Sequence, residues 1–231
     1  MARGALTRKS KDEAAPARAA AARPARTRTN DPDRTKANII EVATHEFSEK
    51  GLSGARIDEI AEQTRTSKRM IYYYFESKEG LYRAVLEECY RRIRSIETKL
   101  DLEHLPPLEA LRLLVTSTFD YQDAHPDFIR LVMVENINHG EHIGQLPNFH
   151  ALNVGVIEQI ERICERGVTS GVMRKGVDPV DLHMTISALC FFNVSNRYTF
   201  SRIFRLNMGS KAALKARRES VADLVVRSVA V

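Results

Sequence analysis

Residues 56–81 read RIDEIAEQTRTSKRMIYYYFESKEGL, and this stretch decides the fold of the chain. Its apolar residues recur at the three- and four-residue steps of a helix, as in Ile57, Ile60, Ala61, Ile71 and Phe75. The residues between Ala61 and Ile71 are mostly polar and leave room for a tight turn. The spacing therefore predicts two short helices, near residues 57–64 and 67–74, that cross at this turn and bury one face each.

The second of these helices presents a basic and aromatic face. Burial of Ile71 and Phe75 leaves four side chains free to point outward, namely Lys68, Arg69, Tyr72 and Tyr73. Lysine and arginine bind phosphates, arginine also binds a guanine edge with two hydrogen bonds, and tyrosine hydroxyls bond phosphate. Residues 65–83 hold five basic residues against two acidic ones. These side chains are of the types that contact duplex DNA; the alternative is that the tyrosines form the edge of the core and the basic residues a solvated face.

The run at residues 66–81, TSKRMIYYYFESKEGL, closely resembles the DNA-binding signature of the TetR (tetracycline-repressor-type) family of transcriptional regulators. The likeness covers about residues 35–85, whereas the rest of the chain resembles that family only in length and helical character. It implies that Thr66 or Ser67 caps the recognition helix and meets phosphate. It further implies that Lys68, Arg69 and Tyr73 lie near the edges of DNA bases. Contacts with the sugar-phosphate backbone of the DNA are implied for Arg56, Tyr72, Tyr74 and Lys78.

One departure from the family pattern lies in the turn. The usual Ala-Gly-Val is replaced by Thr64, Arg65 and Thr66, so an arginine stands where a left-handed glycine is expected. That backbone conformation should destabilise the fold by about 1 kcal/mol when the residue is not glycine.

The chain as a whole reads as an all-α protein of about nine helices, because apolar residues recur at helical spacing from residue 33 onward. We expect three parts: a disordered basic arm (1–32), a helix-turn-helix DNA-binding domain (33–80), and a ligand-binding and dimerisation domain (81–231). The net charge of +5 resides in the first 34 residues, where nine basic residues face four acidic ones. The last two predicted helices are apolar on more than one face, which predicts a homodimer formed through them.

Four polar residues continue otherwise apolar stripes in the C-terminal part: Glu135, Asn153, Asn193 and Arg197. An unpaired buried polar group costs about 1–3 kcal/mol, so these groups must bond one another, water or a ligand. The family resemblance favours a pocket for a small-molecule effector. The alternative is that Glu135 pairs with Arg197 or Arg130, and that the asparagines bond neighbouring backbone.

Other site types have weaker support. His139, Glu141, His142 and His150 could be offered as metal ligands, but a His-x-x-His pair (His139 and His142) in a loop without a second firm pair makes a poor metal site, so we expect neither metal nor cofactor. No motif for catalysis is present in the sequence, and we expect no enzyme activity. The three cysteines are widely spaced and read as buried thiols of a cytoplasmic protein, and no apolar run is long enough to span a membrane.

Two functional hypotheses follow. The first is a ligand-responsive, dimeric transcriptional regulator, most consistent with a repressor that a small molecule releases from a pseudo-palindromic double-stranded DNA operator. The alternative is a sequence-independent DNA-binding or protein-interaction module that uses the basic arm.

Overall fold

The computed structural model describes residues 31–231, so the predicted disordered arm lies, apart from its last two residues, outside the described residues. Residues 32–231 form one compact unit made of helices. The helices are α1 (Pro32–Gly54), α2 (Ile57–Thr64), α3 (Lys68–Phe75), α4 (Lys78–Lys99), α5 (Pro107–Ala124), α6 (Pro126–Ile137), α7 (Phe149–Thr169), α8 (Pro179–Ser195), α9 (Arg197–Phe204) and α10 (Lys211–Val229).

The all-α prediction is confirmed, but the count of about nine helices is one too low for the described residues, which form ten. The short helix α9 follows α8 after a single intervening residue, so helical spacing alone does not separate the two. The break comes at Asn196, whose backbone leaves the helical region, and Arg205 ends α9 in a left-handed conformation with φ 53°. The predicted loop at 139–147 contains one short 3₁₀ turn, Ile143–Gln145.

Two apolar clusters hold the helices together. In the first, α1 to α4 enclose buried side chains that include Phe47, Ile60, Ile71 and Leu81, and α6 adds Leu131 to the same cluster. The second cluster joins α5, α7, α8 and α10. Since α4 packs against both α1 and α7, this long helix connects the region of α2 and α3 with the C-terminal bundle.

Helix ends follow local sequence signals. Ser77 accepts a hydrogen bond from the Gly80 amide at 2.9 Å and so caps α4. Asp178 accepts hydrogen bonds from the amides of Val180 and Asp181 at the start of α8. These caps satisfy amide groups that a helix leaves unpaired, and serine and aspartate are among the residues preferred at such positions.

The turn between α2 and α3 places Arg65 in the left-handed region, with φ 53° and ψ 36°. The amide of Thr66 donates to the Ala61 carbonyl across this turn at 3.0 Å, which is the pattern of a helix end built for glycine. The Arg65 side chain is exposed. The strain expected from the sequence is therefore present.

Replacing Arg65 by glycine is expected to stabilise the fold by about 0.5–1 kcal/mol, because glycine adopts this conformation without a Cβ clash. Urea unfolding of both proteins measures the difference. Arg65→Ala is the matched control, since alanine removes the same side chain but keeps the Cβ; it should stay close to the wild type. Equal stability of the glycine and alanine variants would contradict the explanation by backbone strain.

The three cysteines, Cys89, Cys164 and Cys190, are free and buried, as predicted. Burial raises the pKa of Cys89 to about 11 and that of Cys190 to about 12, so neither thiol is ionised near neutral pH. Within residues 31–231, no helix has both the length and the apolar content that a membrane crossing needs.

Candidate functional site

The exposed face of α3 is the first candidate site. Ile71 is fully buried beneath it, while Lys68, Arg69, Tyr72 and Tyr73 are exposed on the other side, Tyr73 by 76%. Lys68 and Tyr72 are four residues apart on the helix, as are Arg69 and Tyr73, so the four side chains lie on the same side of α3. An α-helix with its side chains is about 10–12 Å in diameter, which fits the width of about 12 Å of the DNA major groove.

The start of α3 distinguishes the two capping candidates. The hydroxyl oxygen of Ser67 accepts a hydrogen bond from the Met70 amide at 3.2 Å, whereas Thr66 donates to the Thr64 carbonyl at 3.3 Å. Ser67 is thus the cap, and Thr66 braces the turn. Ser67 is exposed and keeps its hydroxyl proton available for an acceptor such as a phosphate.

The charged groups around α3 are not all free. Lys68 forms an ion pair with Asp58 of α2, a partner that sequence reasoning missed. Arg69 forms no ion pair with any residue of 31–231, and it is fully available on the surface. Lys78 donates to the Ser53 carbonyl at 3.3 Å and so ties the start of α4 to the end of α1.

Arg56 and Tyr74 flank the exposed face and also brace it. The Arg56 amide donates to the carboxylate of Glu46 at 3.0 Å, and the Arg56 side chain is exposed at the start of α2. Tyr74 is half-buried, with its ring edge-on to Tyr73 at 5.4 Å and the Lys36 ammonium 5.3 Å from its centre. Tyr74 is therefore only partly accessible to a ligand.

The connection from α3 to α4 is unusually tight. Glu76 has φ 64° and ψ −50°, and the Ser77 amide donates to the Phe75 carbonyl at 2.7 Å, which together form a γ-turn, a rare and strained conformation. At Gly80 a Cβ would lie 2.0 Å from the Phe75 carbonyl oxygen. This glycine lets α4 approach the end of α3, and so fixes the orientation of the exposed face.

The four ligand-site candidates of the C-terminal part do not form one cluster in the described structure. Glu135 is buried and accepts hydrogen bonds from the His142 ring at 3.1 Å and from the amides of His142 and Ile143 at 3.2 Å. The pairing of Glu135 with Arg197 or Arg130 was wrong: Arg197 pairs with Asp123, and Arg130 pairs with Glu49. The His142 partner was hidden from sequence reasoning because loop 139–147 folds back on α6.

Asn193 and Arg197 do contact each other, through the Arg197 Nε and the Asn193 carbonyl at 3.4 Å. The side-chain nitrogen of Asn193 is buried and has no hydrogen-bond partner within residues 31–231, and the same holds for the Gln122 side-chain oxygen. Asn153 donates to the Phe149 carbonyl at 2.8 Å, so the alternative of backbone bonding holds for this asparagine.

Asn153 also belongs to a second polar cluster in the interior, between α4, α7 and α8. Its oxygen accepts from Arg94 Nε at 3.0 Å, and Arg94, whose side chain is 13% exposed, pairs with the buried Glu97. Burial, and then the charge of Arg94, lower the pKa of His183 to about 4, so this imidazole is neutral near pH 7. The side-chain oxygen of Gln159 is buried there without a partner in the described chain.

Sequence reasoning missed several of these residues for identifiable reasons. Glu46 lies next to Phe47 on the inward side of α1. A carboxylate at such a position indicates that it accepts a hydrogen bond from a neighbouring segment, here from the Arg56 amide. Arg94 and Glu97 lie three residues apart on α4, which is the spacing of a helical ion pair. Asp58 gave no local signal, because its contact with Lys68 depends on how α2 and α3 cross.

Two protein-family models match the chain. A family model described as bacterial regulatory proteins, tetR family, matches residues 39–85, which include α2 and α3. A second, described as the tetracyclin repressor-like C-terminal domain, matches residues 107–225, just over half of the chain.

Related sequences extend over most of the chain. The HTH-type transcriptional repressor NicS of Pseudomonas putida is 35% identical over 202 residues, which are 87% of this chain and 95% of NicS. The HTH-type transcriptional repressor SCO4008 of Streptomyces coelicolor is 33% identical over 144 residues, 60% of this chain and 69% of SCO4008.

Solved structures share the fold. SCO4942 from Streptomyces coelicolor matches with a TM-score of 0.64 at 27% identity, over 84% of this chain and 98% of that one. The regulator FadR from Bacillus subtilis in complex with stearoyl-CoA matches with a TM-score of 0.63 over 82% of this chain and 97% of that one, and at 20% identity it supports the fold alone. With two matching family models and a relative aligned over nearly its whole length, the chain belongs to the TetR family of transcriptional regulators.

Proposed function

We propose that this protein is a dimeric repressor that binds a pseudo-palindromic operator through α3 and releases it when a small molecule binds the C-terminal bundle. The observation that carries the proposal is the face of α3, where Lys68, Arg69, Tyr72 and Tyr73 are exposed directly above the buried Ile71. NicS and SCO4008, both named repressors, support the sign of regulation. A DNA partner and three buried free thiols fit a cytoplasmic protein.

The contacts divide by type. Lys68, Arg69 and Tyr73 lie where base edges would be read, and Arg69, free of ion pairs in residues 31–231, is the strongest candidate for a guanine. Phosphate contacts fall to residues at the rim of this face, which also hold it in place: Arg56, Thr66, Ser67, Tyr72, Tyr74 and Lys78. Such contacts position the protein on the duplex without reading its sequence. We propose residues 33–80 as the DNA-binding domain.

Dimerisation through α8 and α10 is supported by their exposed apolar side chains, which include Val180, Met184, Phe192 and Leu224. Large apolar patches on a protein surface mark interaction sites, whereas single scattered apolar residues do not. A two-fold dimer of this kind would hold two α3 helices about 34–36 Å apart, the repeat of the major groove on one side of B-DNA.

Effector binding in residues 81–231 is supported by buried side-chain atoms of Gln122, Gln159 and Asn193 that have no hydrogen-bond partner within residues 31–231. Asn193 and Arg197 are candidates on α8 and α9, Asn153 on α7, and Glu135 near the junction with α4. The structure adds Arg94, whose charge is buried beside Asn153. The effector must bind the DNA-incompetent arrangement better than the competent one, because only differential affinity shifts a two-state equilibrium. Helix α4 would transmit the effect of the ligand to α3, because it runs from the turn after α3 past Arg94.

The test is selection of operators from random duplexes by the full chain, followed by a screen of small molecules for release. We expect a palindromic motif bound at least about 10³-fold more tightly than random DNA. Similar affinity for every duplex, with a steep salt dependence, would instead support a sequence-independent module that uses the basic arm. A selected operator that no metabolite releases would contradict the ligand-responsive part of the proposal.

A further inference from the structure

Three metal-binding side chains meet on the surface where α1 packs against α6. His45 and Glu49 are one turn apart on α1, and Asp127 lies in the first turn of α6. One donor atom from each residue lies within 4.8 Å of the other two. His45 Nδ1 is already 3.4 Å from the Asp127 carboxylate. Within residues 31–231, this is the one group of three or more such donors that meets so closely.

We propose that His45, Glu49 and Asp127 bind one divalent transition-metal ion of the zinc class, with water completing its coordination. Ligand atoms about 2.0–2.2 Å from such an ion lie roughly 3–3.5 Å from one another. The three donors must therefore close in by an ångström or so. Their side chains are 66%, 43% and 33% exposed, which leaves the rotamers free to do this.

The imidazole decides the class of ion. Calcium and magnesium prefer sites made of oxygen atoms, whereas one histidine with two carboxylates suits zinc, cobalt, nickel or copper. This site differs from the segment at 139–150, where the His142 ring is already bonded to Glu135 and His150 lies in α7.

Arg130 gives the site a competitor. It lies one turn after Asp127 on α6 and forms an ion pair with Glu49. A metal ion must draw Glu49 away from this guanidinium, so Arg130 is expected to weaken metal binding. The same contact shows that a positive charge is accommodated at this position between α1 and α6.

A bound ion would join two parts of the protein. Helix α1 packs against α2 and α4 of the N-terminal region, while α6 packs against α8 of the C-terminal bundle. An ion bound to both helices stabilises the arrangement described here over any arrangement in which they separate. The inference does not depend on the proposed DNA-binding function, and it can be tested without an operator.

The experiment is a titration of the tag-free full chain with Co²⁺, followed by its visible absorption, and then displacement by Zn²⁺. We expect one ion per chain, and a rise in the melting temperature with Zn²⁺. His45→Ala and Asp127→Asn should each weaken binding by at least about 100-fold, since loss of a direct ligand exceeds the 10- to 100-fold effect of an outer residue. Arg130→Gln should tighten binding several-fold.

The control is the double variant His139→Ala, His150→Ala, which removes two exposed histidines from the other cluster and should bind Co²⁺ as the wild type does. Circular dichroism of each variant checks that the helices are intact. The proposal is overturned if the wild type shows no saturable binding, if His45→Ala binds with wild-type affinity, or if the control variant is the one that loses the ion.

Discussion

Replacement of both Lys68 and Arg69 by alanine is expected to abolish operator binding while leaving the melting temperature almost unchanged. Each base contact of this kind contributes about 1–3 kcal/mol, so loss of two should reduce affinity by about 30-fold or more. Both side chains are exposed, and the ion pair of Lys68 with Asp58 lies at the surface. An exposed pair contributes about 0–1 kcal/mol, which corresponds to a shift of at most about 2–4 °C.

Two further variants separate base contacts from general charge. Arg91→Ala with Arg92→Ala also removes two exposed positive charges, but from α4, where they pair with Glu87 and Glu88. That protein should keep nearly all of its operator affinity. Asp58→Asn acts in the opposite direction, because it releases Lys68 and should strengthen binding to any duplex. Fluorescence anisotropy with the selected operator measures all three, and wild-type affinity in the Lys68, Arg69 variant would remove α3 as the reading element.

Much of this site could be predicted because its determinants are local. The burial of Ile71 and a cap at Thr66 or Ser67 depend on residues within one or two turns, so both could be expected; the structure then assigns the cap to Ser67. The left-handed conformation of Arg65 could be predicted for the same reason, because Arg65 stands at the turn position where the family pattern has a left-handed glycine.

Contacts between distant segments were beyond reach. The partner of Glu135 is His142, and that pairing depends on the path of a loop rather than on any period in the sequence. Likewise, Arg94 meets Asn153 across 59 positions, and His45 meets Asp127 across 82. Charge and apolar spacing identify which side of a helix turns inward, but they do not identify which helix it meets there.

Gly80→Ala is expected to destabilise the fold by about 1–3 kcal/mol and to weaken operator binding at least tenfold. The added Cβ would lie 2.0 Å from the Phe75 carbonyl oxygen and 3.2 Å from its carbon, which are backbone atoms that cannot rotate away. Overpacking of this kind forces a backbone shift. Phe75 ends α3, and its carbonyl also accepts the Ser77 amide, so the shift must change the angle between α3 and α4.

The sign of the effect makes this prediction decisive. In the interior of an ordinary helix, alanine in place of glycine stabilises the fold by about 0.5–1 kcal/mol, because glycine loses more conformational freedom than alanine when the chain folds. Gly155 of α7 is the matched control, because a Cβ there meets no atom within 4 Å. Urea unfolding should show Gly155→Ala to be more stable than the wild type and Gly80→Ala to be less stable. If both gained stability, α4 would not approach α3 as closely as described, and the orientation of the recognition helix would need another cause.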